Sequence, residues 1–387
     1  MSKIVKALII TLTLLFFGSG CGLSESKGVD QTVVVQEIGI DFDLDKGEYD
    51  VTIHILDLSS SGGQESPASG SPITRILKSS GKSIQEALYN TIKITGEKPL
   101  HSQIRLIIFG EDVMLRGIDT ATDFFMRDYE ARSTVPIAIA KGFKASEILE
   151  ADEGNSQQPA RTMQKILQSG NIDSLTDGTM IVDLVRQTEE KTSSIYMPVL
   201  TLEFIDDSAY AKFDGMGIFE GDKLKFYLTA EEARAMLWVT DHITTGSIVV
   251  EDESLGVITL NVIHSKTKTK TQITNSGDLK YTFSVKTIFD INEINFSKEK
   301  KLKQKEIDKI SKVAEKYIED AMKNVLDKTL KENKCDPFRL GRRLLLKYPE
   351  EYRNVSDNWD ELLPLVKTQV DASVQIRRTG KFAIIKD

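Results

Sequence analysis

The sequence predicts an α+β protein built from mixed α/β domains, the last of them an antiparallel sheet backed by a long helix. Three observations carry this. Between Thr32 and Leu200, β-rich runs alternate with helical ones, as in a mixed layer domain. Further on, Ile258, Leu260 and Val262 alternate with Thr259 and Asn261, and Tyr281, Phe283, Val285 and Phe289 alternate with polar residues. That period of two marks half-buried antiparallel strands. Finally, Lys298 to Lys334 places Ile307, Ile310, Ala314, Tyr317, Ala321, Val325 and Leu330 on one stripe, an amphipathic helix. At 387 residues the chain is too long for one ordinary domain. The edges read from these patterns are a signal segment over 1–20, a tether over 21–30, and an N-terminal mixed α/β domain over 31–200. A middle hairpin-helix domain over 201–246 and a C-terminal sheet-and-helix domain over 247–387 follow.

The elements follow in order. Thr32 to Ile40 and Glu48 to Leu58 read as a hairpin across the acidic stretch Asp41 to Gly47. Ser59 to Pro72 is a Ser/Gly/Pro-rich loop, and Ile73 to Ser79 a further strand. Ser83 and Glu86 form a capping box that opens a helix. Gln103 to Phe109 and Val135 to Ala140 are apolar enough for buried strands. Gly117 to Phe125 and Ala145 to Leu149 read as helical, and Glu150 to Ala160 as a polar loop. Lys212 to Leu228 is a hairpin turning at Gly221-Asp222, where glycine tolerates positive φ. Thr229 and Glu232 are a second capping box. After the long helix, bounded by Asn333 and Pro337, come a shorter helix to Leu346 and a last strand. The inward face of that strand runs from Val366 to Ile376.

The first twenty-one residues decide location. Lys3 and Lys6 precede an apolar run of eleven residues, Ala7 to Phe17, then Gly18-Ser19-Gly20 and Cys21. A bilayer span needs about twenty apolar residues, so this run is a signal peptide core and not a span. Cysteine directly after small residues is the bacterial lipoprotein pattern, in which the thiol carries a diacylglyceryl group and becomes the mature N-terminus. Position 18 is glycine where that pattern usually has a Leu-like residue. Cys21 is therefore the expected lipid attachment site. Lys3 and Lys6 are the only charges in residues 1–20, so removing that segment leaves 48 basic and 58 acidic residues, a formal charge of −10. Such a balance disfavours nucleic acid, which selects basic surface, and leaves membrane contact to the anchor. With Cys21 assigned to lipid, Cys335 has no partner for a disulfide.

Motifs for chemistry are weak. Gly81-Lys82-Ser83 resembles the end of a phosphate loop, but Ile76 stands where the first glycine belongs. Asp41, Asp43 and Asp45 alternate like a calcium loop, yet Lys46 and Thr52 occupy its Gly and Glu positions. The four histidines are scattered, so no zinc site and no cofactor is expected. No Gly-x-Ser-x-Gly elbow occurs. A glycosidase-type acid pair stays open in so acidic a chain. Lys266, Lys268 and Lys270 alternate with threonines on one side of a strand. A charged edge strand that resists aggregation explains this, and so does a local contact with lipid phosphates or an acidic partner. Trp238 and Trp359 read as core residues.

Several short segments stand in a fixed order along the chain. They are Ile38-Gly39-Ile40-Asp41, Ile107-Ile108-Phe109-Gly110-Glu111 with Arg116-Gly117, and Phe125-Met126-Arg127-Asp128-Tyr129-Glu130-Ala131-Arg132. Gly215-Met216-Gly217-Ile218-Phe219 with Asp222-Lys223-Leu224, and Asp336-Pro337-Phe338 with Gly341 and Trp359, complete the set. In this order they resemble the Ger(x)C family, the C-subunit lipoproteins of spore germinant receptors. The family often continues its lipid cysteine with Trp-Asp, where this chain has Gly22-Leu23. The resemblance implies a three-domain mixed α/β fold, no enzymatic activity, and assembly with two integral-membrane subunits in the spore inner membrane. A solute-binding lipoprotein of a transporter is the alternative. It would show two lobes of largely parallel sheet around a cleft.

Overall fold

The computed structural model describes residues 32–57, 73–127, 131–155, 178–295 and 302–378, with residues 164, 165, 167 and 176. The signal segment, Cys21, the tether and the loop at 59–72 lie outside them.

β1 (Thr32–Asp43), β2 (Glu48–Asp57) and β3 (Ile73–Gly81) form an antiparallel meander. α1 (Ile84–Asn90) follows, capped by Ser83, whose hydroxyl accepts the Glu86 amide at 3.1 Å. β4 (Lys98–Leu100) and β5 (Leu106–Gly110) run parallel to β1. Where one helix was expected from Gly117, two stand: α2 (Glu111–Arg116) and α3 (Ile118–Arg127). Gly117 breaks them apart at φ +134°, and a Cβ there would lie 2.3 Å from Asp222 Oδ2. β6 (Ile137–Ala140) pairs parallel with β5. α4 (Ala145–Asn155) runs through residues expected to be loop. The physical reason is at its start: the Asp41 carboxylate accepts the Ala145 and Ser146 amides at 2.7 and 3.1 Å, while Ile148 and Leu149 are fully buried. After α5 (Ile181–Glu189), β7 (Tyr196–Ile205), β8 (Ser208–Glu220) and β9 (Lys223–Leu228) complete a nine-stranded sheet ordered β3-β2-β1-β5-β6-β7-β8-β9, with β4 beside β1. Its centre is parallel and its flanks antiparallel. Helices α1, α2, α3 and α5 cover one face, and α4 covers the other.

α6 (Ala230–Thr240) opens with the expected capping box, Thr229 and Glu232 exchanging bonds of 3.3 and 2.8 Å. Met236, Leu237 and Trp238 then enter a third core, shared with Met216 and Ile218 of β8. The stretch 201–246 thus has no sheet of its own. Its strands extend the large sheet, and its helix packs against the second one.

That second sheet comprises β10 (Ser247–Asp252), β11 (Gly256–Ile273), β12 (Leu279–Asn295) and β13 (Lys367–Arg378), in that order. β10 to β12 are antiparallel, as the alternation predicts. β13 corrects the expectation, because it lies parallel to β12. The cause is the crossover through α7 (Gln304–Leu326), α8 (Leu340–Lys347) and α9 (Pro349–Val355), which returns the chain to the end where β12 began. α7 buries Ile307, Ile310, Ala314, Ile318, Met322 and Val325 against the sheet. Glu319 and Glu315 also accept the Ala372 and Val374 amides at 3.0 Å each, satisfying the open edge of β13. The helix then widens into a π-helical turn, Asp327–Glu332.

Candidate functional site

The two sheets meet along a polar seam, and several of the motif residues gather there. The π-helical turn leads into Cys335, whose amide donates to Thr329 O at 2.8 Å, and Asp336 then stands against the loop before β7. Asp336 and Ser194 bond reciprocally. The Asp336 amide donates to Ser194 Oγ at 2.9 Å, and the Ser194 amide donates to Asp336 O at 3.0 Å. Asp336 Oδ2 accepts the Gly341 amide at 2.9 Å and the Trp359 indole N–H at 3.2 Å. One buried carboxylate therefore ties the start of α8, the segment after α9 and the approach to α8 into one unit. Arg339 is held in the left-handed region at φ 57°, which turns its guanidinium back across the seam. There Arg339 Nε donates to Glu190 Oε2 at 2.7 Å, and Arg342 reaches the same carboxylate. A cleft of about 570 Å³ follows the seam, lined by Glu190, Thr192, Glu220, Asp222, Asp336 and Asp357 among others.

Charge at the seam is unevenly poised. Burial raises the Asp336 carboxyl from 3.8 to about 6, against the donors that favour its ionised form. Burial also acts upward on Glu190, but Arg339 and Arg342 overcome it and hold the group below its ordinary value. Burial pushes the Cys335 thiol up, so it is an inert core thiol and not a nucleophile. Among the described residues no group of three His, Cys, Asp or Glu side chains is placed to hold a metal ion.

A second node lies inside the large sheet. Asp41 caps α4 from 104 residues away, and a Cβ on Gly110 would come within 2.4 Å of its Oδ1. Asp43 instead binds its own turn, accepting the Asp45 and Lys46 amides at 3.0 and 3.1 Å. The three aspartates do not converge. Asp41→Ala is expected to cost about 1–2 kcal/mol, the worth of a good N-cap, with hydrogen exchange rising first in α4. A loss of global stability with α4 still protected would count against it.

The sequence reading placed Trp238 and Trp359 in the core, where both are buried. Lys266, Lys268 and Lys270 are exposed on β11. Cys21 lies outside the described residues. The reading missed Glu190, Arg339 and Arg342, since nothing local links charges 149 and 152 residues apart. It also missed a buried pair in the large sheet, Glu37 and His54, 3.0 Å apart and 0% and 1% exposed. No local signal marked that pair, because His54 shares its strand face with Asp50 and Thr52, and Glu37 shares its face with Gly39 and Asp41.

Comparison with known proteins places these features. Residues 25–202 match the family model described as the spore germination protein N-terminal domain, and residues 214–380 match that described as spore germination B3/GerAC like, C-terminal. The chain is 27% identical over 363 residues to spore germination protein B3 of Bacillus subtilis (strain 168), covering 93% of this chain and 94% of that protein. It is 24% identical over 396 residues to spore germination protein KC of the same organism, covering 97% and 96%. The crystal structure of the GerBC protein shares the fold, with a TM-score of 0.58 and 23% identity across 88% of this chain and 96% of that one.

Proposed function

The chain belongs to the Ger(x)C family of spore germination proteins, so its role is in spore germination, and we propose that it acts there as a lipid-anchored, non-catalytic subunit of a germinant receptor. The observation that carries this is the extent of the match. Both family domains are present in order, and the relatives align along nearly their whole length. The anchor is Cys21, after the charged start and apolar run of residues 3–17. No described helix is long and apolar enough to cross a membrane, which fits attachment through acyl chains. The partners are two integral-membrane receptor subunits, and the location is the outer face of the spore inner membrane. Anchoring confines the search for those partners to two dimensions and raises effective concentration, so weak interfaces suffice.

Mass spectrometry of the native protein is expected to find a diacylglyceryl-modified N-terminal Cys21, and Cys21→Ala is expected to slow nutrient-triggered germination while leaving circular dichroism unchanged. An unmodified thiol, or full germination with the alanine variant, would overturn the anchored reading.

The solute-binding alternative called for two lobes of largely parallel sheet. The second sheet has a single parallel pairing, β12 with β13, beside two antiparallel ones.

A further inference from the structure

The face of the second sheet turned away from α7 is open to solvent and carries a concentration of lysines. On β11 the outward residues include Lys266, Lys268 and Lys270; on β12, Lys280 and Lys286; on β13, Lys367. The strands are adjacent, so these side chains form one patch three strands wide, across two spacings of roughly 4.8 Å each. Four acids share the face: Glu251 and Glu293 lie toward the β10 end, and Asp290 and Asp371 nearer the lysines. Asp290 is bonded to Arg377, and Asp371 stands beside Gln369. Lys266 pairs with Asp241 and Lys367 with Asp278, both at the rim. Lys268, Lys270 and Lys286 have no ion-pair partner among the described residues.

Two features show that this patch is more than a charged edge. Lys266 and Lys286 stand directly opposite each other in the β11–β12 register, a like-charge pairing that weakens a sheet. The edge itself is already protected, since Asp241 accepts the Thr267 amide at 2.6 Å and Lys347 donates to Thr271 O at 2.6 Å. In a chain of net charge −8, lysines gathered on one flat face need a counter-charge from outside.

We infer that this sheet face rests on the anionic surface of a lipid bilayer, the lysines meeting headgroup phosphates. Lysine composition favours lipid over an acidic protein. Protein interfaces are depleted in lysine and enriched in aromatics and arginine, whereas clustered lysines are what anionic leaflets attract. A lipid anchor joined to a basic patch is also a stronger attachment than one acyl signal alone. The inference gives the anchored subunit proposed above an orientation, and it is testable without the anchor.

The test uses the mature chain from residue 22, which contains every described residue, and vesicles of phosphatidylcholine with or without phosphatidylglycerol. Flotation is expected with phosphatidylglycerol only, falling as salt is raised and the Debye length shortens. At about the free energy per lysine that such surfaces supply, Lys268→Glu/Lys270→Glu/Lys286→Glu is expected to weaken binding roughly a hundredfold. A control with Lys305→Glu/Lys312→Glu/Lys316→Glu on α7 changes net charge equally and is expected to bind much more tightly than that variant. Circular dichroism of both variants verifies the fold. Equal binding with and without phosphatidylglycerol, absence of binding to either, or equal losses in the two triple variants would overturn the proposal. Cross-linking of these lysines in spores to an acidic protein in place of lipid would overturn it too. None of these outcomes depends on whether Cys21 is acylated.

Discussion

Asp336→Ala is expected to destabilise the protein by about 2–6 kcal/mol at about pH 4.5, because two buried donors lose their acceptor at about 1–3 kcal/mol each. Those donors are the Gly341 amide and the Trp359 indole. At about pH 7.5 the cost is expected to be smaller, and the sign follows from linkage. Burial raises the carboxyl from 3.8 to about 6 in the folded state. Between those values the folded protein keeps a proton that the unfolded chain has released. Stability from this group is therefore present below pH 3.8, falls as pH rises through the window, and stays low above it. At 1.36 kcal/mol for each pH unit, the fall amounts to about 3 kcal/mol. Asp336→Asn separates the two effects, since an amide keeps an acceptor and does not ionise. Relative to wild type, the asparagine variant is expected to improve by about 2 kcal/mol between about pH 4.5 and 7.5, because part of the fall already lies below about pH 4.5; urea unfolding at each pH reads it. Glu37 and Asp41 are also raised by burial and add the same slope to both proteins, so the comparison isolates Asp336. Parallel pH profiles for wild type and Asp336→Asn would remove Asp336 as a titrating group.

What the sequence revealed of this fold was its local part. Period-two runs became β11 and β12 because each buries one face. Ser83 and Thr229 cap helices because those bonds form within four residues. Gly221 turns the β8–β9 hairpin at φ +59°. What it hid depends on distant partners. The direction of β13 is fixed by a crossover that no strand pattern encodes. α2 has six residues, too few to show a period. The extension of α4 past Leu149 depends on a cap supplied by Asp41, an acid that reads like any other in its hairpin turn.

The resemblance segments show why order along the chain informed more than any single motif. Many of their residues are contact points between distant elements. Gly39 faces Ala145 and Leu149 of α4, and Gly110 faces Asp41. Gly215, at φ +116°, would place a Cβ 2.0 Å from Leu228 O. Each is individually common, and what marks the chain is that each stands where two distant elements meet closely. The lipid site is legible only in residues outside those described, so its test is chemical and not geometric.

Gly341→Ala is expected to cost about 1–3 kcal/mol, the range for overpacking a filled interior, even though alanine favours a helix by about 1 kcal/mol over glycine. A Cβ at this position would lie 2.2 Å from Thr192 Oγ1 and 2.5 Å from Thr192 Cβ. Thr192 is buried and β-branched, so it cannot swing aside cheaply. α8 is equally fixed. Its first turn donates to Asp336, Arg339 and Arg342 grip Glu190, and Tyr281 donates its hydroxyl to Leu340 O at 2.8 Å. The clash is therefore absorbed by the seam and not by the helix. Thr192→Gly removes the opposing atoms and is expected to restore much of the stability lost by Gly341→Ala. A double-mutant cycle would then give a favourable coupling between two residues that belong to different sheets' layers. Gly341→Ala alone should also raise the exposure of Cys335 to thiol reagents, because Cys335 is 1% exposed and lies one residue from Asp336 on the same seam. A variant with unchanged unfolding midpoint and unchanged Cys335 labelling would mean that the two layers are not held at the separation described.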